Sequence, residues 1–209
     1  MAPMTQAFLF DLDGTLLDTR GDIADAANAA RAALGLPTMA EAAVEGHVGH
    51  GLGHLLAQVL PRALHGRLGE ARAAFVAHYQ AHLLDRTRPF PGAEELLARL
   101  AGRPIALVTN QPGRFVDPIL AGLGWHFEVV LAGDTLPERK PHPAPVREAL
   151  RRLGVAAEQA LFVGDTEVDR AAAVGAGVAV GCVPWGRTTD LEGRRLTSLA
   201  ELVDRMAAP

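Results

Sequence analysis

The sequence predicts an α/β fold: a Rossmann-like parallel sheet core with helices on both faces and an inserted all-helical cap. Three observations carry this expectation. Short apolar runs recur at residues 7 to 10, 104 to 109, 128 to 132, 160 to 164 and 178 to 183. From residue 93 onward they alternate with helical stretches, the pattern of βαβ units around a parallel sheet. Between the first and second runs, residues 21 to 86 show an alanine-rich helical pattern and no strand signal. At 209 residues and 49% hydrophobic, the chain is long enough to bury a core and a smaller second unit.

The first run, Phe8-Leu9-Phe10, ends in Asp11-Leu12-Asp13-Gly14-Thr15. Residues i and i+2 of a strand point the same way, so Asp11 and Asp13 are expected side by side where the strand stops and Gly14 lets the chain turn. Two carboxylates that close repel, and they are tolerated when one takes a proton or a cation sits between them. Taken alone, the same residues also read as an Asp-Gly-Thr turn whose acids cap a helix.

The helical insertion follows. Ile23, Ala27, Ala30 and Leu34 recur at helical spacing, and Thr38-Met39-Ala40-Glu41 has the form of a capping box. Glycines at positions 35, 46, 49, 51, 53 and 66 divide the region into about four helices. Its ends fall near Leu16 to Arg20 and near Arg88-Pro89-Phe90-Pro91-Gly92, a proline-rich connection suited to a hinge. The expected division is a core of residues 1 to 18 and 90 to 209, with a cap of residues 19 to 89.

Three later pieces fall at or near strand ends. Ile105 to Val108 leads into Thr109-Asn110, Leu161 to Val163 leads into Gly164-Asp165-Thr166-Glu167-Val168-Asp169, and Lys140 stands before Pro141 between them. Ligands of open parallel sheets bind outside the carboxyl ends of the strands, so these pieces are expected to converge on Asp11. Each is weak alone; together and in this order they form one signal. Lys140 is the only lysine, the other 19 of the 20 Lys and Arg residues being arginine. A compact ammonium fits at one point between two oxygens, where the planar fork of arginine does not.

Composition narrows the function classes. No segment approaches the ~20 apolar residues of a membrane span, and residues 7 to 10 are too short for a signal peptide, so the cytoplasm is the expected compartment. The single Cys182 has no internal disulfide partner and, following Val178-Ala179-Val180, reads as a buried strand-end residue. A formal charge of -4 argues against a general nucleic-acid or anionic-membrane binder, so an anionic small molecule must be drawn by local cations. His47, His50 and His54 have metal-ligand spacing, but interleaved glycines interrupt the helix that would align them, and a substrate-facing loop at His50 and Gly51 is the better reading. Arg67, Arg72 and Arg86 read as solvated helix faces, Asp18 and Thr19 as shapers of the cap linker, His142 as a loop residue and Trp185 as a packing residue. Oligomeric state is not legible.

The four motifs, in this order, resemble those of the haloacid dehalogenase-like phosphohydrolase superfamily over nearly the whole chain. Within it, Val48-Gly49-His50-Gly51, Thr109-Asn110-Gln111-Pro112 and the stretch from Gly133-Asp134-Thr135 to Lys140-Pro141-His142-Pro143-Ala144-Pro145 are similar to the phosphoglycolate phosphatase branch. Gln111 stands where that branch usually carries a lysine and His50 where it usually carries an asparagine. The resemblance implies a Mg²⁺-dependent phosphate monoester hydrolase that works through an aspartyl-phosphate. It makes Asp11 the nucleophile and Asp13 the general acid and base. Mg²⁺ falls to Asp11, the main-chain carbonyl of Asp13 and Asp165, with Asp169 ligating or ordering a bound water. Thr109, Asn110 and Lys140 are assigned to the phosphate. The implied partner is a small phosphorylated metabolite, 2-phosphoglycolate first and another such as a sugar phosphate second. A phosphonate-cleaving relative would need a second lysine for its Schiff base, and there is none. The non-enzyme alternative is an aspartate-phosphorylated signalling domain similar to response-regulator receivers. Receivers, however, accept phosphate on a later strand and lack a helical insertion after the first.

Overall fold

The computed structural model describes residues 5 to 190 and 195 to 202. In chain order its elements are β1 (Ala7–Phe10), β2 (Leu17–Asp18), α1 (Arg20–Ala33), α2 (Glu41–Glu45), α3 (Leu52–Val59), α4 (Leu68–Ala81), β3 (Arg88–Pro89), α5 (Ala93–Arg99), β4 (Ile105–Val108), α6 (Gly113–Leu123), β5 (Val129–Leu131), α7 (Ala144–Leu153), β6 (Ala160–Gly164), α8 (Glu167–Gly175) and β7 (Ala179–Cys182). Short 3₁₀ turns at Arg62–Arg67 and Ala157–Gln159 complete the set. All five apolar runs are strands, three of them shorter by one residue at each end than the sequence suggested.

The five strands form one parallel sheet in the order β5-β4-β1-β6-β7. β1 is central, with Phe8 opposite both Ile105 and Leu161, and every residue of β1 is buried. Alternation divides its side chains between two layers. Phe8 and Phe10 pack with Phe115, Val116 and Ile119 of α6 and Leu96 of α5, whereas Leu9 packs with Val146 and Leu150 of α7 and Ala172 of α8. Helices therefore cover both faces. Full burial of each large side chain contributes about 1.5–3 kcal/mol, and truncating Phe10 to alanine would cost about 3–5 kcal/mol. The order places the ends of β4, β1 and β6 side by side, which sets the site.

Among the described residues between β2 and β3 there are only helices and turns. Ile23, Ala27, Ala30 and Leu34 are all buried, and α1 packs along α4. Phe75 and Tyr79 of α4 meet Phe115 with ring centroids 6.4 and 4.9 Å apart, so this region is packed onto the sheet layer. Its two connections pair as a short antiparallel ribbon, Leu17 opposite Pro89 and Asp18 opposite Arg88, which the sequence pattern did not reveal. Buried Asp22 braces the crossing by accepting the Arg86 N–H at 2.9 Å and the N–H and hydroxyl of Thr87 at 2.8 and 2.7 Å.

Three local expectations are corrected. Thr38 caps nothing: α2 begins at Glu41 behind Ala40, and the Glu41 carboxylate bonds Arg86 instead. Arg86 lies on no helix, and its guanidinium joins Asp25 and Glu41 across the connection. Gly53 breaks no helix, lying in the first turn of α3, where unsatisfied N–H groups make glycine tolerable. Among the described residues no helix is long and apolar enough to cross a membrane.

Candidate active site

Past β1 the chain curls tightly. The Asp11 N–H still donates to Val163 O at 3.0 Å, and Leu12 O accepts from the N–H groups of Thr15, Leu16 and Leu17 at 3.3, 3.1 and 3.0 Å. Gly14 has φ +86°, and a Cβ there would lie 2.6 Å from Asp165 Oδ2. Glycine is thus required by both conformation and space. The curl leaves Asp11 buried and Asp13 half-buried. Asp13 Oδ1 accepts the Thr19 hydroxyl at 2.8 Å and Gln111 Nε2 at 3.1 Å, and its Oδ2 has no donor among the described residues.

The ends of β4 and β6 bring the remaining groups. Thr109 Oγ1 accepts the Gln111 N–H at 3.1 Å, which leaves its own hydrogen free to donate. Asn110 Nδ2 donates to Gly49 O and to Lys140 O, both at 2.8 Å. Asp169 sits at the third position of α8 and closes a capping box with Thr166, accepting the Thr166 N–H at 3.1 Å and its hydroxyl at 2.7 Å. Lys140, buried to within 3% of its surface, places its ammonium 2.8 Å from Asp11 Oδ1 and 2.6 Å from Asp169 Oδ1.

The electrostatics follow from burial. Burial pushes the Asp11 carboxyl well up, with Lys140 opposing and Asp169 and Asp165 reinforcing the shift. Burial likewise pushes Asp165 up to about 7, with Asp169 adding to it, and Asp13 up to about 6 against the Thr19 hydrogen bond. Lys140 loses hydration too, but Asp11 and Asp169 more than offset this and raise it. Three carboxylates facing one ammonium leave the centre short of positive charge. Asp11, Asp165 and Asp169 each offer an oxygen, all within 4.8 Å of one another. Such an all-oxygen set suits a hard divalent cation. Both Asp169 oxygens already have donors, whereas among the described residues the Asp165 carboxylate receives only the Thr15 hydroxyl, at 3.3 Å on Oδ1. Asp11 and Asp165 are therefore the freer ligands.

Two openings meet at Asp13. One, a cavity of about 50 Å³, is lined by Asp11, Thr109 and Gln111 together with apolar residues of α3, α4 and α6. The other, of about 80 Å³, is lined by Arg20, Arg187 and Trp185 and by Glu45 and Val48 of the helical insertion. Arg187 donates to Glu45 O and Val48 O, both at 3.3 Å, while Trp185 Nε1 donates to Gly14 O at 2.9 Å and its ring stacks on Phe90 at 4.4 Å.

The fold thus brings Asp11, Asp13, Thr109, Asn110, Lys140, Asp165 and Asp169 together, with Gly51 on the wall of the first cavity. His50 is exposed and its ring lies tilted by 32° against that of His54, with centroids 4.7 Å apart; His47 lines the cavity instead. Among the described residues the only cluster with metal-ligand geometry is the acidic one. Thr19 was read as a linker residue and in fact touches Asp13. Tyr79, whose hydroxyl accepts from Gln111 at 3.0 Å, carries no local sequence signal at all. Cys182 ends β7 in the core, its thiol pushed up to about 11 by burial, and packs as expected.

The structure is a doubly wound parallel sheet that gathers buried carboxylates and one ammonium at its carboxyl end. The chain belongs to the haloacid dehalogenase-like hydrolase family, which it matches over residues 8–183. It is 37% identical over 203 residues to a phosphoglycolate phosphatase of Thiobacillus denitrificans, covering 93% of this chain and 88% of the relative. A phosphoglycolate phosphatase of Rhodospirillum rubrum is 42% identical over 195 residues, 88% of this chain and 81% of the relative. Among solved structures, a predicted phosphoglycolate phosphatase of Haemophilus somnus 129PT superposes with a TM-score of 0.87 at 30% identity, covering 96% of this chain and 97% of the other. CbbY of Rhodobacter sphaeroides in complex with phosphate gives 0.80 at 30% identity, covering 98% of this chain and all of its own. The hydrolase family sets the signalling-domain alternative aside.

Proposed function

We propose that the chain is a Mg²⁺-dependent phosphate monoester hydrolase that converts 2-phosphoglycolate to glycolate and phosphate. The observation that carries this reading is the Lys140 ammonium held between Asp11 and Asp169 beside Asp13, whose Oδ2 is free. Burial favours the neutral form of Asp11, and the Lys140 ammonium 2.8 Å away opposes it by favouring the carboxylate that nucleophilic attack needs, while a second carboxyl near pH 6 is matched to moving protons at neutral pH.

Asp11 attacks phosphorus, the bond from phosphorus to the ester oxygen breaks, and Asp13 gives its proton to the departing alkoxide. Asp13 then takes a proton from water, the resulting hydroxide oxygen bonds to phosphorus, and the Asp11–phosphorus bond breaks to release phosphate. Lys140 and the Thr109 hydroxyl hold the non-bridging oxygens. Asn110, both of whose amide hydrogens are engaged by carbonyls, positions Lys140 and the Gly49 loop rather than the phosphate. Asp11, the Asp13 carbonyl and Asp165 are the residues that would hold Mg²⁺, with Asp169 orienting Lys140. When bound, the cation neutralises charge developing on the phosphoryl group. On the second opening Arg20 is paired with Asp18 and Glu45, whereas Arg187 donates to main-chain carbonyls and is the cation placed for the substrate carboxylate.

In this reading residues 19 to 89 act as a cap over a core of residues 1 to 18 and 90 to 209, with Val48 to Gly51 as the loop that reads the leaving group. Another small phosphorylated metabolite is the second reading, favoured by one similar structure, a CbbY variant in complex with xylulose-(1,5)bisphosphate. Phosphate release by the purified protein with Mg²⁺, compared across 2-phosphoglycolate, sugar phosphates and an aryl phosphate, tests both. A kcat/KM for 2-phosphoglycolate no higher than for the aryl phosphate would overturn the first.

A further inference from the structure

The first cavity holds a polar pair that the mechanism above leaves unused. Gln111 is only 7% exposed, and its Nε2 donates one hydrogen to Asp13 Oδ1 at 3.1 Å and the other to the Tyr79 hydroxyl oxygen at 3.0 Å. These contacts fix which way the carboxamide faces, because turning it over would set its oxygen against the Asp13 carboxylate. Gln111 Oε1 is therefore a defined acceptor. Among the described residues it is the one buried side-chain nitrogen or oxygen with no hydrogen-bond partner. The Tyr79 hydroxyl, 1% exposed, accepts from Gln111, and no group among the described residues takes its own hydrogen. A buried acceptor and a buried donor thus stand open side by side, an arrangement that is costly until something enters.

The rest of the wall restricts what enters. Ile23, Leu52, Leu55, Phe75 and Phe115 make it largely apolar, and no lysine or arginine lines it. The volume of about 50 Å³ admits roughly three to five water-sized groups at ~10–15 Å³ each, so the occupant is short. A hydroxyl complements the pair, donating to Gln111 Oε1 and accepting from Tyr79. A carboxylate has no hydrogen for Oε1 and would bring negative charge beside Asp13.

We propose that Gln111 and Tyr79 form a hydroxyl-reading pair on the leaving-group side of the site, selecting phosphate monoesters of short alcohols that carry a second hydroxyl. The inference rests on reading Asp11 as the centre of a phosphate monoester hydrolase, and not on 2-phosphoglycolate being the ester. 2-Phosphoglycolate carries no hydroxyl to complement this pair and serves as a reference ester in the test.

The test compares 2-hydroxyethyl phosphate with ethyl phosphate, which differ only in the hydroxyl, using 2-phosphoglycolate and an aryl phosphate as references. The wild-type enzyme should favour the hydroxylated ester in kcat/KM by about tenfold or more, since a site built to bond a hydroxyl rejects the analogue lacking it. Tyr79→Phe, which keeps the ring packing, should erase most of that preference by slowing the hydroxylated ester while ethyl phosphate stays within about twofold. Gln111→Met should erase it as well, with an added loss on every ester from the missing Asp13 contact. Equal wild-type rates on the two esters, or equal loss on both in Tyr79→Phe, would overturn the inference while leaving the hydrolase reading intact. Failure to release phosphate from any of the four esters would instead sink the Asp11 reading and the inference with it.

Discussion

Asn110 donates its side-chain amide to Gly49 O at 2.8 Å, tying the end of β4 to the loop between α2 and α3. The same amide nitrogen holds Lys140 O, so one buried carboxamide sets both the lysine segment and the loop above it. Asn110→Ala leaves two carbonyls without their donor. The expected outcome is a stability loss of about 1–3 kcal/mol in denaturant titration, with a fall in kcat larger than the change in KM. Asn110→Asp, which replaces the donor with an acceptor beside three acids, should be worse on both measures.

Gly14 tests the packing of the acid cluster. Gly14→Ala places a methyl 2.6 Å from Asp165 Oδ2 at a backbone angle that L residues rarely adopt. Titration of activity with Mg²⁺ should show a half-saturating concentration raised by about tenfold or more, because Asp165 is pushed from its place. Chelator should silence the wild-type enzyme and Mg²⁺ restore it, while Ca²⁺ supports it poorly because its larger coordination shell disturbs in-line geometry. Unchanged Mg²⁺ dependence in Gly14→Ala would remove Asp165 from the cation site.

The raised carboxyls give the metal-free protein a pH signature. Asp165 titrates near 7 and Asp13 near 6 when folded, against 3.8 as the ordinary value, so between these limits the folded chain binds more protons than the unfolded one. Stability from these groups is then present at low pH and is lost as pH rises through about 4 to 7. In chelator, Tm should rise as pH falls from 8 to 6, and Asp165→Asn should flatten that slope. Added Mg²⁺ should stabilise more at pH 8 than at pH 6. A chelated wild type whose Tm does not change between pH 8 and 6 would contradict the burial argument.

The buried ion pairs of Lys140 predict chemical protection. An amine-selective reagent should leave Lys140 unlabelled in the native protein at neutral pH and label it after unfolding, as read by peptide mass mapping. Lys140→Arg should fall by about a hundredfold or more in kcat despite the kept charge, because a planar fork cannot stand at one point between Asp11 and Asp169.

The strands and the four motifs were legible because each is local: three are apolar runs of four or five residues ending in their own functional group, and the fourth is the only lysine of the sequence. Chain order and the parallel-sheet rule then placed Asp11, Thr109 and Asp165 on one edge. Pairings made across the chain were not legible. Gln111 meets Asp13 across 98 positions, Tyr79 meets Gln111 across 32, and the two-residue ribbon between Leu17 and Pro89 is too short to carry a periodicity. The capping-box pattern misled at Thr38, where Glu41 was drawn to Arg86, while the box that forms at Thr166 has Asp169 in the third place, serving Lys140 as well.

The central claim is that Asp11 carries the chemistry, and phosphate release from 2-phosphoglycolate by Asp11→Asn in saturating Mg²⁺ tests it most directly. An amide is no practical nucleophile, so kcat should fall by about a thousandfold or more while the folded protein keeps its Tm to within a few degrees. A folded Asp11→Asn protein that turns over 2-phosphoglycolate at near the wild-type rate would contradict the account.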